Sequence, residues 1–368
     1  MSAQIMMRQG PKPLPFQLGM ASLASTGIAG GTQFDAETLQ RFFQGIQKYQ
    51  KHPFKRDMPE LDIVWSDGEA RLFHAAPEKK KFANPVFLIP SMVNGSEILD
   101  LLPGRSLLRF LADEGYDAYL LDWGQAAQDQ GQATFDAAVV QRLIPAIEAA
   151  GSPVLLLGYC MGGLFAAAVA SLRPDLVRGC VMLATPWNFH DTAGALKARL
   201  SIMKPMAIPY MTQYARLPES WMQAVFATLD PESSIKKFAS FAAMTDEGEA
   251  AEMFVAVEDW LNEGVDLPAG IARTCMDEWY ERNEPFDGTW TVCGSVIRAQ
   301  DIKAPTFVIA AKGDKIVPPD SAMAFAQQRA KCDTLLYNGG HISLIAGARA
   351  KDEVWRRLSE WFAMQQKP

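Results

Sequence analysis

The 368-residue chain is 49% hydrophobic and carries a formal net charge of −7. That is ample material for a sizeable core, and the acidic balance offers no basic field for nucleic acid. Five cysteines at scattered positions without a CxxC pair argue against a disulfide framework or zinc site and for a reducing compartment; no HExxH, Walker or Rossmann glycine pattern supports metal, nucleotide or dinucleotide chemistry.

Residues 1–60 are expected to form an N-terminal arm and one amphipathic helix, with 1–35 irregular. Arg8 and Lys12 precede a mildly apolar stretch, Leu14 to Ala29, that imitates a signal peptide but is broken by Gln17 and two glycines. Cysteine usage favours a cytoplasmic location, and the stretch also suits a hydrophobic surface or partner. From Ala36 to Tyr49 the residues Leu39, Phe42, Phe43, Ile46 and Tyr49 fall at helical spacing, which predicts a helix packed on the main domain. No run of about 18 uncharged apolar residues occurs, so no membrane span is expected.

Residues 61–189 read as the first part of a core. Ile63 to Phe73 alternates as a strand, and Glu78 to Lys81 is a charged turn. Pro85 to Pro90 is a continuous apolar run of the kind buried on both faces of a parallel sheet, followed by the loop Ser91-Met92-Val93-Asn94-Gly95. Arg105 to Gly115 reads as a helix ended by glycine, Ala118 to Trp123 as a buried strand, Phe135 to Ala149 as a helix and Val154 to Leu157 as the next strand.

That strand runs into Gly158-Tyr159-Cys160-Met161-Gly162-Gly163 and then the helix-forming Leu164 to Leu172. This is the pattern of a nucleophile elbow with Cys in place of the commoner Ser. A side chain at the tip of a strand-to-helix turn has strained backbone angles and close neighbours, so the flanking positions need glycine. The helix behind it points N–H groups and a positive dipole end at the sulfur, which favours the thiolate. The competing reading is a buried structural cysteine.

Cys180 to Ala184 is another buried strand. Strand and helix alternation then stops, and residues 190–295, rich in Met and aromatic residues, are expected to be a helical cap inserted above the sheet edge where such folds bind ligands. Residues 296–368 resume the core: the strand Pro305 to Ala311, the short strand Leu335 to Tyr337 and a closing helix, Glu353 to Met364. The fold class this predicts is α/β: an α/β-hydrolase fold with a mostly parallel central sheet, helices on both faces and a cap insertion.

In that fold the chain order is nucleophile, acid, histidine. Among four histidines, only His190 and His341 follow Cys160. His190 opens the cap, whereas His341 follows the last strand in a Gly-Gly-His turn, so His341 is the expected base. Asp314 follows the preceding strand, 27 residues before it, and is the expected acid; the alternative is a turn aspartate. The expected oxyanion donors are the backbone N–H groups of Met161 and Met92. An acyl-cysteine is itself a thioester, so the nucleophile favours acyl transfer from a CoA thioester over hydrolysis of plain esters.

The hexapeptide around Cys160 resembles the Cys lipase-like box of polyhydroxyalkanoate synthases. The resemblance extends through Pro90-Ser91-Met92-Val93-Asn94, Ile98 to Leu101, Arg105 to Arg109, Tyr119 to Gly124, Ala184 to Phe189, Gly313-Asp314 with Val317-Pro318-Pro319, and Gly339-Gly340-His341-Ile342. Total length is similar to the short catalytic subunits of the two-component synthases, which work with a separate subunit. The resemblance implies an acyltransferase that loads (R)-3-hydroxyacyl groups from CoA onto Cys160 and extends a polyester at an inclusion granule. It implies no cofactor beyond the CoA thioester substrate, and a second synthase subunit as partner; gating by the cap adds a homodimer as the other expected partner. His341 would be the general base, and Asp314 either its orienter or the activator of the incoming hydroxyl. A Cys-dependent depolymerase or acyl thioesterase on the same three residues is the rival reading.

Overall fold

The computed structural model describes residues 7–26, 33–125, 133–151, 153–190, 195–245 and 248–366. Parts of the expected N-terminal arm (1–6 and 27–32) and of the cap's first turn (191–194) lie outside them.

Eight strands form the central sheet: β1 (Asp62–Asp67), β2 (Ala70–Ala75), β3 (Val86–Ile89), β4 (Ala118–Asp122), β5 (Val154–Tyr159), β6 (Val177–Leu183), β7 (Thr306–Ala311) and β8 (Asp333–Tyr337). Their spatial order is β1-β2-β4-β3-β5-β6-β7-β8. β2 pairs antiparallel with both neighbours, and every other pairing is parallel. Every residue of β3, β5 and β7 is buried, as expected for strands covered on both faces.

Side chains sort by the two-residue period of the strand. Phe87, Ile89, Leu156, Met182 and Val308 enter one apolar layer, while Val86, Leu88, Leu155, Leu157, Val181 and Ile309 enter the other. Full burial of each such side chain is worth about 1.5–3 kcal/mol, so a slip of one residue in any central strand would exchange the two layers. The first layer includes the helix Gly162–Leu172, and the second the helices Leu107–Glu114 and Arg356–Gln365.

Four expectations are corrected. Residues 1–35 are not wholly irregular, because α1 (Leu14–Thr26) forms there and buries Ala21 against Phe42, Ile46 and Phe238; tertiary contact and a run free of interior proline outweigh its weak periodicity. Helix α2 (Ala36–Lys51), capped by Asp35 accepting the Thr38 N–H at 2.7 Å, packs on cap helices rather than on the sheet layers. A Cβ at Gly45 would stand 1.9 Å from the Phe238 carbonyl oxygen, so only glycine permits that crossing. The stretch 63–73 is not one strand but the hairpin β1–β2, reversing at Gly68 with φ 58°, a positive angle that glycine adopts without strain. Finally, the helix expected at 105 starts at Leu107 because Ser106 Oγ caps it, accepting the Arg109 N–H at 2.9 Å; it ends at Gly115 as expected, with φ 106°.

Among the described residues no strand of the sheet lies between Leu183 and Thr306. The intervening chain is mainly helical: Ala195–Tyr214, Glu219–Ala227, Pro231–Ala242, Glu249–Asn262, Ala269–Arg273 and the π-helical turns of Thr274–Glu281. No described helix is long and apolar enough to cross a membrane.

Candidate active site

β5 ends on Tyr159, and the next residue, Cys160, adopts φ 54°, a left-handed angle that is strained for a side chain of this size. The Cys160 N–H donates to the Leu183 carbonyl at 2.9 Å, and its own carbonyl accepts the Gly163 N–H at 3.0 Å. The bend is therefore held from both sides. The glycines around it are sterically required: a Cβ at Gly158 would stand 2.4 Å from the Gly162 oxygen, at Gly162 2.1 Å from the Ile89 oxygen, and at Gly163 1.8 Å from Thr185 Oγ1. The helix Gly162–Leu172 starts directly behind the sulfur, with its positive dipole end toward it.

β7 and β8 deliver the other two groups. Asp314 is buried, and its Oδ1 accepts the N–H groups of Ile316 at 2.9 Å and Val317 at 2.8 Å. Its Oδ2 meets His341 Nδ1 at 2.6 Å. The Asp314 side chain has no exposed surface and that of His341 only 9%. Cys160 lines the same chamber as the imidazole, and its charge acts on it. Burial of His341 opposes its charge, but the carboxylate of Asp314, charge on Cys160 and the hydrogen bond to Asp314 outweigh it and raise the imidazole to about 10. The buried carboxylate of Asp314 at 2.6 Å thus favours the protonated imidazole.

Two supports escaped sequence reasoning. Tyr159, fully buried in the same hexapeptide as Cys160, sets its ring 5.2 Å from that of His341 and donates from its hydroxyl to the His341 carbonyl at 3.4 Å. Burial, with the charges of Cys160 and Asp314, holds its phenol well above the usual range, hence neutral. Ser343 Oγ accepts the Gly340 N–H at 2.7 Å and donates to the Gly340 carbonyl at 2.8 Å, fastening the turn that presents His341. Only the Tyr159 position carried a local signal, its place in the elbow.

Ser91, Val93 and Met161 line the space in front of the sulfur, while the Met92 side chain turns into the core. The Val93 N–H is engaged by Ser91 Oγ at 3.3 Å. The N–H groups of Met92 and Met161 have no acceptor among the described residues. Trp123 Nε1 donates to the Pro90 carbonyl at 3.2 Å, and the Val93 carbonyl accepts the Val265 N–H at 3.1 Å, so core and cap together fix this loop. His190 is elsewhere, exposed at the cap's edge and bonded through Nε2 to the Tyr280 carbonyl at 2.9 Å.

Cys160 and His341 open into a chamber of about 140 Å³. The cap contributes Leu200, Trp221, Phe226, Met276 and Tyr280, so its wall is largely carbon. No group of three or more metal-ligating side chains occurs among the described residues. The constellation can form an acyl-sulfur bond, move one proton between imidazole and a leaving group, and keep water scarce around the intermediate.

The chain is 28% identical to the poly(3-hydroxyalkanoate) polymerase subunit PhaC of Allochromatium vinosum, over 81% of this chain and 86% of that one. It is 26% identical to the protein of the same name from Haloferax mediterranei, over 82% of this chain and 63% of that one. The counterpart in Haloarcula marismortui is 24% identical, over 83% and 66%. The chain thus spans less than two thirds of the length of the two haloarchaeal relatives. The family model of the alpha/beta hydrolase fold matches residues 84–348, and with the strand order and elbow described above, the chain belongs to the alpha/beta hydrolase fold family.

Proposed function

We propose that the chain is an acyltransferase that polymerises (R)-3-hydroxyacyl-CoA into polyhydroxyalkanoate through an acyl group on Cys160. The observation that carries this reading is the coupling of Cys160, His341 and Asp314 at a carbon-lined chamber. The polymerase names of the relatives support it. Loading exchanges one thioester for another and is nearly thermoneutral, so the intermediate keeps its reactivity for transfer.

Proton placement follows from the raised imidazole. The Cys160 sulfur attacks the thioester carbonyl, the carbon–sulfur bond to CoA breaks, and His341 gives its proton to the departing CoA sulfur. The imidazole is now a neutral base. It takes the proton from the hydroxyl of the next monomer as that oxygen attacks the acyl-Cys160 carbonyl. A carbon–oxygen bond forms, the bond to Cys160 breaks, and the imidazolium and sulfur anion are restored. The N–H groups of Met161 and Met92 are the assigned donors to the oxyanion of each tetrahedral intermediate. Each step balances with substrate and side chains alone, the CoA thioester being substrate rather than cofactor.

Of the two roles open to Asp314, orientation of His341 is assigned. Both carboxylate oxygens are engaged, one by two backbone N–H groups and the other by the imidazole, and the side chain offers no exposed face to an incoming hydroxyl. The word "subunit" in the relatives' names supports assembly with a second synthase subunit or a second copy, and growth of a water-insoluble polyester supports association with a cytoplasmic granule. The test is incubation with 3-hydroxybutyryl-CoA. CoA release accompanied by polymer is expected; release with one equivalent of free acid per CoA overturns polymerisation in favour of hydrolysis.

A further inference from the structure

The carbon wall of the chamber in front of Cys160 has a few polar side chains set into it. Two of them are amides from different parts of the fold: Asn94, on the loop that carries Met92, and Gln223, on the cap helix Glu219–Ala227. Both are tied to a third element, the cap helix Glu249–Asn262. The last carbonyls of a helix have no partner within it, and here the amides supply two. Asn94 Nδ2 donates to the Trp260 carbonyl at 3.3 Å, and Gln223 Nε2 donates to the Leu261 carbonyl at 2.8 Å.

An amide whose nitrogen is held by a helix has its oxygen left as an acceptor. No donor among the described residues reaches Asn94 Oδ1 or Gln223 Oε1, and neither oxygen is walled off in the core. Ser91 Oγ, by contrast, is already engaged by the Val93 N–H at 3.3 Å. The chamber thus offers two oriented acceptors in surroundings that are otherwise mostly carbon.

We propose that Asn94 and Gln223 read the 3-hydroxyl of the acyl group being loaded, and so set 3-hydroxyacyl thioesters above plain acyl thioesters. The inference rests on the reading that an acyl group passes to Cys160. A hydroxyl that leaves water for a carbon-lined chamber forfeits its hydrogen bonds, and an amide oxygen restores one. In a 3-hydroxyacyl group a single methylene separates the carbonyl carbon from the carbon that bears the hydroxyl. Asn94 follows Met92 by two residues, so the loop assigned to the oxyanion also carries an acceptor for the group next along the chain. Gln223 completes the pair from the cap. An amide oxygen is too weak a base to take the proton, so the hydroxyl is held without being consumed. A plain acyl group brings only carbon to this place and leaves both oxygens unpaired.

The test compares CoA release in a single turnover, with enzyme in excess, from 3-hydroxybutyryl-CoA and from butyryl-CoA, which lacks only the hydroxyl. The wild-type protein is expected to load the hydroxylated substrate about tenfold faster, the order of one neutral hydrogen bond. Gln223→Met and Asn94→Ala should each lower that ratio, and the double variant should bring it to about one. A merely structural role, in which the variants free the Leu261 or Trp260 carbonyl, slows both substrates alike and leaves the ratio where it was. An unchanged ratio in the variants therefore overturns the proposal even where both rates fall, as does equal loading of the two substrates by the wild-type protein. Polymer formed alongside either of those results refutes the amide assignment alone. Failure of both substrates to release CoA refutes loading of Cys160, and the amide assignment with it.

Discussion

Replacing Asp314 by Asn removes one charge and adds one N–H in a site with no room for either change to relax. The Asn oxygen can keep the backbone N–H bonds of Ile316 and Val317, at 2.9 and 2.8 Å in the native chain. Its amide nitrogen then faces His341 Nδ1 across the 2.6 Å that the carboxylate now spans, donor against donor. The ring responds by carrying its proton on Nε2, facing the sulfur, where it cannot accept the hydroxyl proton. Returning the imidazole from about 10 to its ordinary 6.5 forfeits roughly 5 kcal/mol at 1.36 kcal/mol per pH unit. Cys160 supplies part of the elevation and burial of the imidazole works against it, so the figure sets the order of magnitude only. The same exchange in a serine triad costs about 10⁴ in kcat, and a loss of about 10³–10⁴ is expected here. The assay is the pre-steady-state burst of CoA from butyryl-CoA, followed by single-turnover transfer to a hydroxyacyl acceptor. Both steps should fall together. Loading within tenfold of wild type at neutral pH refutes the orienting role, and a loss confined to transfer reassigns Asp314 to the hydroxyl.

Cys160→Ala should abolish turnover, and His341→Gln should cost roughly 10³-fold or more, with the double variant little worse than either single one because the groups act as a unit; steady-state CoA release measures all three. Loading requires a protonated His341, whose proton is held to about 10; the burst rate should be level through neutral pH and fall as pH rises toward 10, and the fall should begin at lower pH in Asp314→Asn. Gly162→Ala sets a methyl group 2.1 Å from the Ile89 carbonyl oxygen, a clash with backbone that should lower stability by about 1–3 kcal/mol and be visible in denaturant unfolding. Gly45→Ala, 1.9 Å from the Phe238 oxygen, should leave the CoA burst intact while speeding proteolysis of the N-terminal helices.

What was legible in the sequence was local. The elbow announces itself because Gly158, Gly162 and Gly163 answer steric demands made within a few residues and by the adjoining strands. β3, β5 and β7 are buried on both faces and so are written as unbroken apolar runs. The β1–β2 reversal was hidden because alternation continues through Asp67 to Ala70, and only the Gly68 angle breaks it. The partner of α2 was illegible for another reason: an amphipathic face states that it needs cover, and Phe238 and Phe241, nearly two hundred residues away, provide it. The motif residues around the site divide likewise. Asp100 and Arg109 serve each other in an ion pair at 2.8 Å, and Trp187 is fully buried, donating to Gln328 at 2.9 Å. Neither belongs to the chemistry, though both fall in stretches that carried the family resemblance. Tyr159 and Ser343 act only through space, and no spacing rule points to such roles.

The most direct test of the account is mass analysis of the protein quenched milliseconds after mixing with 3-hydroxybutyryl-CoA, with the peptide bearing Cys160 isolated. The account predicts hydroxyacyl units in thioester linkage on that sulfur, increasing in number with time and absent from Cys160→Ala. Polymer formed while Cys160 remains unmodified, or an acyl group found on another residue, would contradict it.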